Sequence, residues 1–218
     1  SVGDVSISEG GLMTFTVTRT GDAQVAQTVD FGTSIVAGSD TAEAVDFTGK
    51  SGTLSFAQGV TSQTFTVQTT IDDTYEGAET FTVSLSNATG GAVIGDGTGV
   101  GTIKDDGTGP GPFGPGPNAD NDTPTVSIAV SPASIAENAA DGSVMTYTVS
   151  LSNKSDFDTV VTYTLSGSAS AGDYATTATG TVTIPAGSTT ATFTVDPTDD
   201  ALDENDETVV ATITNGTG

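Results

Sequence analysis

The sequence predicts an all-β chain built as two tandem β-sandwiches, the second lacking its last strand. Three observations predict it. Apolar residues alternate with Thr or Ser along short runs, the period of a strand with one buried face. Gly- and Asp-rich turn signals separate those runs, and helix signals are nearly absent. The pattern of the first half also restarts at Thr125: Gly52-Thr53-Leu54-Ser55-Phe56 matches Gly180-Thr181-Val182-Thr183-Ile184, and Thr64-Phe65-Thr66-Val67 matches Thr192-Phe193-Thr194-Val195. A repeat of that length is a whole domain, far longer than a solenoid period.

Taken in order, Val5 and Ile7 alternate first, followed by Met13, Phe15 and Val17 with Thr14, Thr16 and Thr18 on the opposite face. Val29 and Phe31, Leu54 and Phe56, Phe65 and Val67, then Phe81, Val83 and Leu85 continue the series, and residues 100–103 close it. Seven short strands in about a hundred residues predict an antiparallel sandwich, with Thr suited to the exposed pleated face. The first domain is placed at 1–106. Residues 107–123 follow as a linker, because repeated Pro and Gly fit no core strand and make a semi-stiff, extended connection. Its acidic tail, 118–122, reads as solvated linker; the alternative reading is a cap on a cation at the domain junction. The second domain spans 124–218. Its apolar positions are Val126, Ile128 and Val130; Met145, Tyr147, Val149 and Leu151; Val161, Tyr163 and Leu165; Val182 and Ile184; Phe193 and Val195; and Val209, Ala211 and Ile213. Nothing after Ile213 matches Gly101-Thr102-Ile103-Lys104-Asp105-Asp106. The expectation is therefore an open sheet edge, left either because the sequence is cut there or for a neighbouring chain or segment to complete.

Charge narrows the function. Asp and Glu number 28 against 4 Lys and Arg, a net charge of −24. Such a chain lacks the basic patches that nucleic acid or an anionic membrane requires, and no apolar run is long enough for direct membrane insertion. With no Cys and no His, disulfides, thiolate chemistry, the Ser-His-Asp triad and the usual zinc ligands are all excluded. Acidity alone serves solubility, but here the acids cluster at strand ends. Asp72, Asp73, Glu76 and Glu79 lie within one short stretch between two apolar runs, far in sequence from Lys50 and Lys104. Glu9, Asp46, Asp105 and Asp106 sit in comparable places. Loops of a sandwich converge at its ends, so these eight carboxylates form a candidate site for a hard divalent cation. Ca²⁺, which takes six to eight oxygens at roughly 2.3–2.6 Å, suits them better than Mg²⁺, which keeps its waters.

The residues Ser8-Glu9-Gly10, Ala44-Val45-Asp46-Phe47, Gly52-Thr53-Leu54-Ser55-Phe56, Ile71-Asp72-Asp73-Thr74-Tyr75-Glu76-Gly77-Ala78-Glu79-Thr80-Phe81, Leu85-Ser86-Asn87 and Gly101-Thr102-Ile103-Lys104-Asp105-Asp106 together resemble the Calx-β domain. The resemblance covers both copies. It implies a seven-stranded, Ig-like Greek-key sandwich that binds Ca²⁺ at one apex, through the eight carboxylates named above. In the second copy it implies Glu137, Asp173, Asp199, Asp200, Glu204 and Glu207, with Asp203 as an extra acid and no terminal Asp pair. Ile71 and Gly107 stand where richer members carry further acids, which implies fewer or weaker ions.

Four function classes follow. The first is a calcium-stabilised extender module of a secreted or surface-anchored bacterial protein, such as an RTX-type adhesin, with calcium ions and neighbouring repeats of the same chain as partners. The second is a calcium sensor regulating a transporter, as in sodium/calcium exchangers, which the scarcity of Lys and Arg speaks against. The third, a receptor- or carbohydrate-binding tip, needs an exposed aromatic platform, and the aromatics fall on the inferred core face. The fourth, a hydrolase with paired carboxylates, lacks distinct acid and nucleophile environments. The sequence-based expectation is a non-enzymatic, extracellular or cell-surface binding module.

Overall fold

A computed structural model describes residues 1–105, 122–138, 143–201 and 205–217. Asp106, Asp203, Glu204 and residues 107–121 of the linker expected at 107–123 lie outside the described residues. The chain divides into two units: Ser1–Asp72 with Glu76–Asp122, and Asp73–Tyr75 with Thr123–Gly218.

In the first unit the seven expected strands form, as β1 (Val5–Ser8), β2 (Leu12–Thr18), β3 (Gln27–Ser34), β4 (Ser51–Phe56), β5 (Ser62–Gln68), β7 (Ala78–Ser86) and β8 (Thr98–Lys104). One sheet runs β1-β8-β7-β3-β4 and the other pairs β2 with β5. Their facing sides carry the alternating apolar residues, and Met13, Phe15, Val67, Phe81 and Val83 are fully buried. Five rings stack through this core: Phe31 on Phe65 at 3.9 Å, Phe15 on Phe65 at 5.3 Å and Phe47 on Phe81 at 4.1 Å give the centroid spacings. In β8 the inward positions are Gly99, Gly101 and Ile103, whereas Val100 is only half-buried. Gly101 is needed there because the Phe81 ring fills its side-chain space.

One pairing departs from the expected antiparallel pattern. β1 runs parallel to β8, from Val5 opposite Gly101 to Ser8 opposite Lys104. The first strand is split between the sheets. Val2 bridges Val17 of β2 in antiparallel fashion, and the chain then crosses at Gly3 and Asp4 to the other sheet. Crossing without reversing direction makes it parallel to β8, and the Val100 N–H donated to Asp4 Oδ1 at 2.8 Å holds the crossing.

The second unit repeats the plan with β9 (Val126–Ser131), β10 (Met145–Leu151), β12 (Thr159–Ser166), β13 (Thr179–Ile184), β14 (Thr190–Val195) and β15 (Val210–Thr217). It also contains a two-residue parallel pair, β6 (Thr74–Tyr75) with β11 (Lys154–Ser155). Its sheets run β14-β10-β9 and β13-β12-β15. β15 stands where β7 stands in the first unit, and among the described residues no strand follows it in the sheet. Phe193 stacks between Tyr147 and Tyr163, at 5.0 and 3.9 Å, and the Tyr147 hydroxyl donates to the Val209 carbonyl at 2.9 Å. Tyr147 and Tyr163 are therefore core residues. Val130, expected on the buried face, is exposed.

Candidate metal centre

Sheet register places the acidic residues. The parallel ladder ends at Ser8 opposite Lys104, so Glu9 and Asp105 leave the sheet side by side at the same end. β7 begins at Ala78, also opposite Lys104, which brings Glu76 and Gly77 to that level. Strand alternation then puts Glu79 on the same face as the buried Phe81, at the open rim of the core. Backbone hydrogen bonds stitch the loops together: Glu9 N–H to Lys104 O at 3.0 Å, Gly10 N–H to Thr70 O at 2.9 Å, and Thr70 N–H to Asp46 O at 2.7 Å. Gly77, at φ 81°, adopts a left-handed conformation that turns the acidic loop back towards β7.

Two carboxylate trios result. In one, Glu9, Asp105 and Asp122 bring oxygens within 4.8 Å of one another. These residues are only 6, 4 and 5 % exposed. In the other, Asp46, Glu76 and Glu79 meet the same distance, with Asp46 buried and the two glutamates half-buried. Backbone donors hold two members in place. Asp105 Oδ2 accepts from the N–H groups of Glu76 and Gly77, at 2.6 and 3.1 Å. Asp46 Oδ2 accepts a very short bond from the Glu43 N–H.

At an effective dielectric of about 20, two unit charges 4.8 Å apart repel by about 3.5 kcal/mol. Each trio contains three such pairs when fully ionised, a crowding that a bound cation would offset. The donors are all hard carboxylate oxygens, with no sulfur or nitrogen, and this set fits Ca²⁺. Glu9, Asp105 and Asp122 would hold one ion and Asp46, Glu76 and Glu79 another.

Five of the residues expected from sequence thus converge: Glu9, Asp46, Glu76, Glu79 and Asp105. Asp72 and Asp73 are exposed and join neither trio, and Asp73 falls within the second unit. Asp122 is the addition. Its stretch reads in sequence as solvated linker, yet its side chain is buried with the first unit. The signal in the sequence was the acid at the end of a Gly/Pro-rich run.

The second unit keeps the scaffold with a sparser set of acids. Asp173 Oδ2 accepts from the Ser170 N–H at 2.5 Å, and the Thr198 N–H donates to Asp173 O at 2.9 Å, as in the Asp46 loop. The Ser170 backbone N–H, then its hydroxyl, hold the Asp173 carboxyl below its ordinary value; burial opposes them, and a hydrogen bond with Glu207 adds to the lowering. The Asp200 N–H donates to Glu137 Oε1 at 2.7 Å. Asp199, Asp200 and Glu207 are exposed. Among the described residues no third trio forms in this unit.

A family model described as the Calx-beta domain matches residues 2–105 and again 119–218. Among solved structures, the apo form of the Calx CBD1 domain is 26% identical, with a TM-score of 0.43, over 48% of this chain and 97% of that one. The calcium binding domain CBD12 of CALX1.1 is 21% identical, with a TM-score of 0.42, over 88% of this chain and 71% of that one. CBD12 from CALX1.2 is also 21% identical, with a TM-score of 0.42, over 98% of this chain and 77% of that one. Comparison with curated proteins gives no match.

Proposed function

Because this chain belongs to the Calx-beta domain family, with two copies in succession, we propose that it is a calcium-binding module whose first sandwich is stiffened at its apex by Ca²⁺. The observation that carries the reading is the pair of carboxylate trios, one of them almost wholly buried. Glu9, Asp46, Glu76, Glu79, Asp105 and Asp122 come from the first turn, two connecting loops, the start of β7, the end of β8 and the segment before β9. Ligation ties those segments to one another, which crowded like charges otherwise oppose. A ligand that binds only the folded state adds RT ln(1 + [L]/Kd), about 2.7 kcal/mol at a hundredfold excess over Kd.

In its finer form the module is an extender in a secreted or surface-anchored, adhesin-like protein, where calcium is abundant and neighbouring repeats add length. The strong acidity, the absence of Cys and the Pro/Gly-rich stretch between the copies support that setting. The reading is of binding without catalysis, since the chain offers no His or Cys to act as base or nucleophile. A second reading, calcium-dependent regulation of a transporter, rests equally on the family and its paired copies. Affinity separates the two. Calorimetry of the chelated protein with CaCl₂ gives Kd near 10⁻⁴–10⁻³ M for an extracellular extender, and micromolar Kd with a conformational change for a sensor. If melting temperatures in calcium and in chelator coincide, both readings fall.

A further inference from the structure

We infer that the second unit is a strand acceptor: an extended segment of a partner polypeptide, patterned like β8, inserts beside β15 and is held by its backbone. The inference stands apart from the calcium reading. β15 pairs with β12 along one edge, and among the described residues no strand pairs with the other. In the first unit the matching strand, β7, is flanked on both sides, by β3 and β8. Register fixes the match. Leu85 lies opposite Phe31 and Ile213 opposite Tyr163, while Phe31 and Tyr163 face Gly52 and Gly180 of the matched strands. Val209 and Ala211 therefore correspond to Phe81 and Val83. Phe81 and Val83 are fully buried, whereas Val209 and Ala211 are half-buried and Val210 is 51 % exposed. The other partner of β8 has a counterpart too. Ser134-Ile135-Ala136-Glu137 resembles Ser6-Ile7-Ser8-Glu9, yet 133–136 belong to no strand pair among the described residues, whereas β1 pairs with β8.

β8 shows what fits such an edge. It runs antiparallel to β7 and sets Gly99, Gly101 and Ile103 opposite Val83, Phe81 and Glu79. It finishes at Lys104, opposite Ser8 and Ala78, the residues that adjoin Glu9 and Glu79. At the corresponding level the second unit carries Glu137 and Glu207, and residues 123–218 contain one basic side chain, Lys154. A segment with small or aliphatic inward residues and Lys at its trailing end therefore complements this edge in charge as well as in backbone. Main-chain bonding to an open edge supplies affinity, and the alternate side chains supply specificity.

The test uses the whole chain, in chelator and at low salt, with a labelled peptide of the β8 sequence, residues 98–104. Fluorescence anisotropy is expected to show saturable binding. Thr102→Pro in the peptide removes a ladder donor and should weaken it about tenfold or more. Lys104→Glu should weaken it about threefold or more, and added NaCl should narrow that difference. Hydrogen exchange on the mixture should slow at residues 210–214 and 133–136 and stay unchanged along β4, an edge strand of the first unit. In a second arm the same segment is fused behind Gly218 through a flexible Gly/Ser linker, which raises its local concentration to about millimolar. That fusion should melt above one carrying Thr102→Pro in the added segment. Absence of peptide binding together with equal melts of the two fusions overturns the inference. So does binding that Thr102→Pro leaves unchanged, or protection that falls on β4 instead. Sedimentation of the chain alone supplies the last outcome: a dimer with β15 protected and no peptide uptake assigns the edge to a second copy and overturns the partner proposed.

Discussion

Gly101 occupies a position where any side chain collides with the core. A Cβ built there lies 2.4 Å from Cζ of Phe81, the ring that also stacks on Phe47. Gly180 has the same relation to Tyr163 in the second unit, at 2.5 Å from its hydroxyl. Overpacking of this kind typically costs about 1–3 kcal/mol. Gly101→Ala is therefore expected to lower the melting temperature in chelator by several degrees. Gly32→Ala, whose Cβ meets only ordinary contact at 3.8 Å, should move it far less. Equal melts for the two variants would show that Phe81 has room to shift. Phe81 also fixes the face on which Glu79 lies, so a displaced ring should weaken calcium binding as well. At this scale the site was partly legible. Glu9, Asp46, Glu76, Glu79 and Asp105 flank strand ends, and strand ends can be read from alternation. Asp72 and Asp73 share that signal, but side-chain direction in a loop is not set by period. Asp122 was weighed only as an alternative, because its convergence with Glu9 depends on tertiary path and not on local spacing.

The strands explain why distant acids meet. β1, β8 and β7 end or begin at one level, around Lys104, and the loops leaving that level carry the carboxylates. The opposite end, where β7 finishes at Ser86 and residues 87–97 return to β8, carries a different device. There Arg19 donates to the carbonyls of Val25, Ala57 and Val60 and lies over the Phe56 ring, locking loops without metal. Hydrogen exchange followed by mass spectrometry should separate the two ends. Calcium is expected to slow exchange most at Gly10, Thr70, Glu76 and Gly77, and much less at Thr89 and Ala92. Slowing of the same size at both ends would mean that calcium acts on global stability alone, with no local tie. Strand existence was legible because one face of each strand is buried and the other is Thr-rich. The parallel pairing of β1 was not. Whether a strand stays in one sheet or crosses to the other depends on its partners, and the crossing at Gly3 and Asp4 is a small break in an otherwise ordinary alternation.

For the molecule as a whole, a net charge of −24 repels the folded chain from itself, and two different remedies compete. Monovalent salt shortens the Debye length from about 10 Å at 0.1 M to about 3 Å at 1 M, which screens exposed acids such as Asp72, Asp199 and Asp200. The buried trio is reached far less, because screening ions do not enter a site whose members are at most 6 % exposed. Salt should then recover only part of the stability that calcium confers. In chelator, raising NaCl from about 0.1 to 1 M is expected to lift the melting temperature. A further rise should still follow when calcium is added at 1 M NaCl, and Mg²⁺ at equal ionic strength should give less of it, since it surrenders its waters reluctantly. Recovery of the full calcium effect by NaCl alone would reduce the metal's role to general neutralisation. The residual rise at high salt measures what a localised ion does at the apex, and it should shrink in Glu9→Gln while the NaCl response stays close to that of wild type.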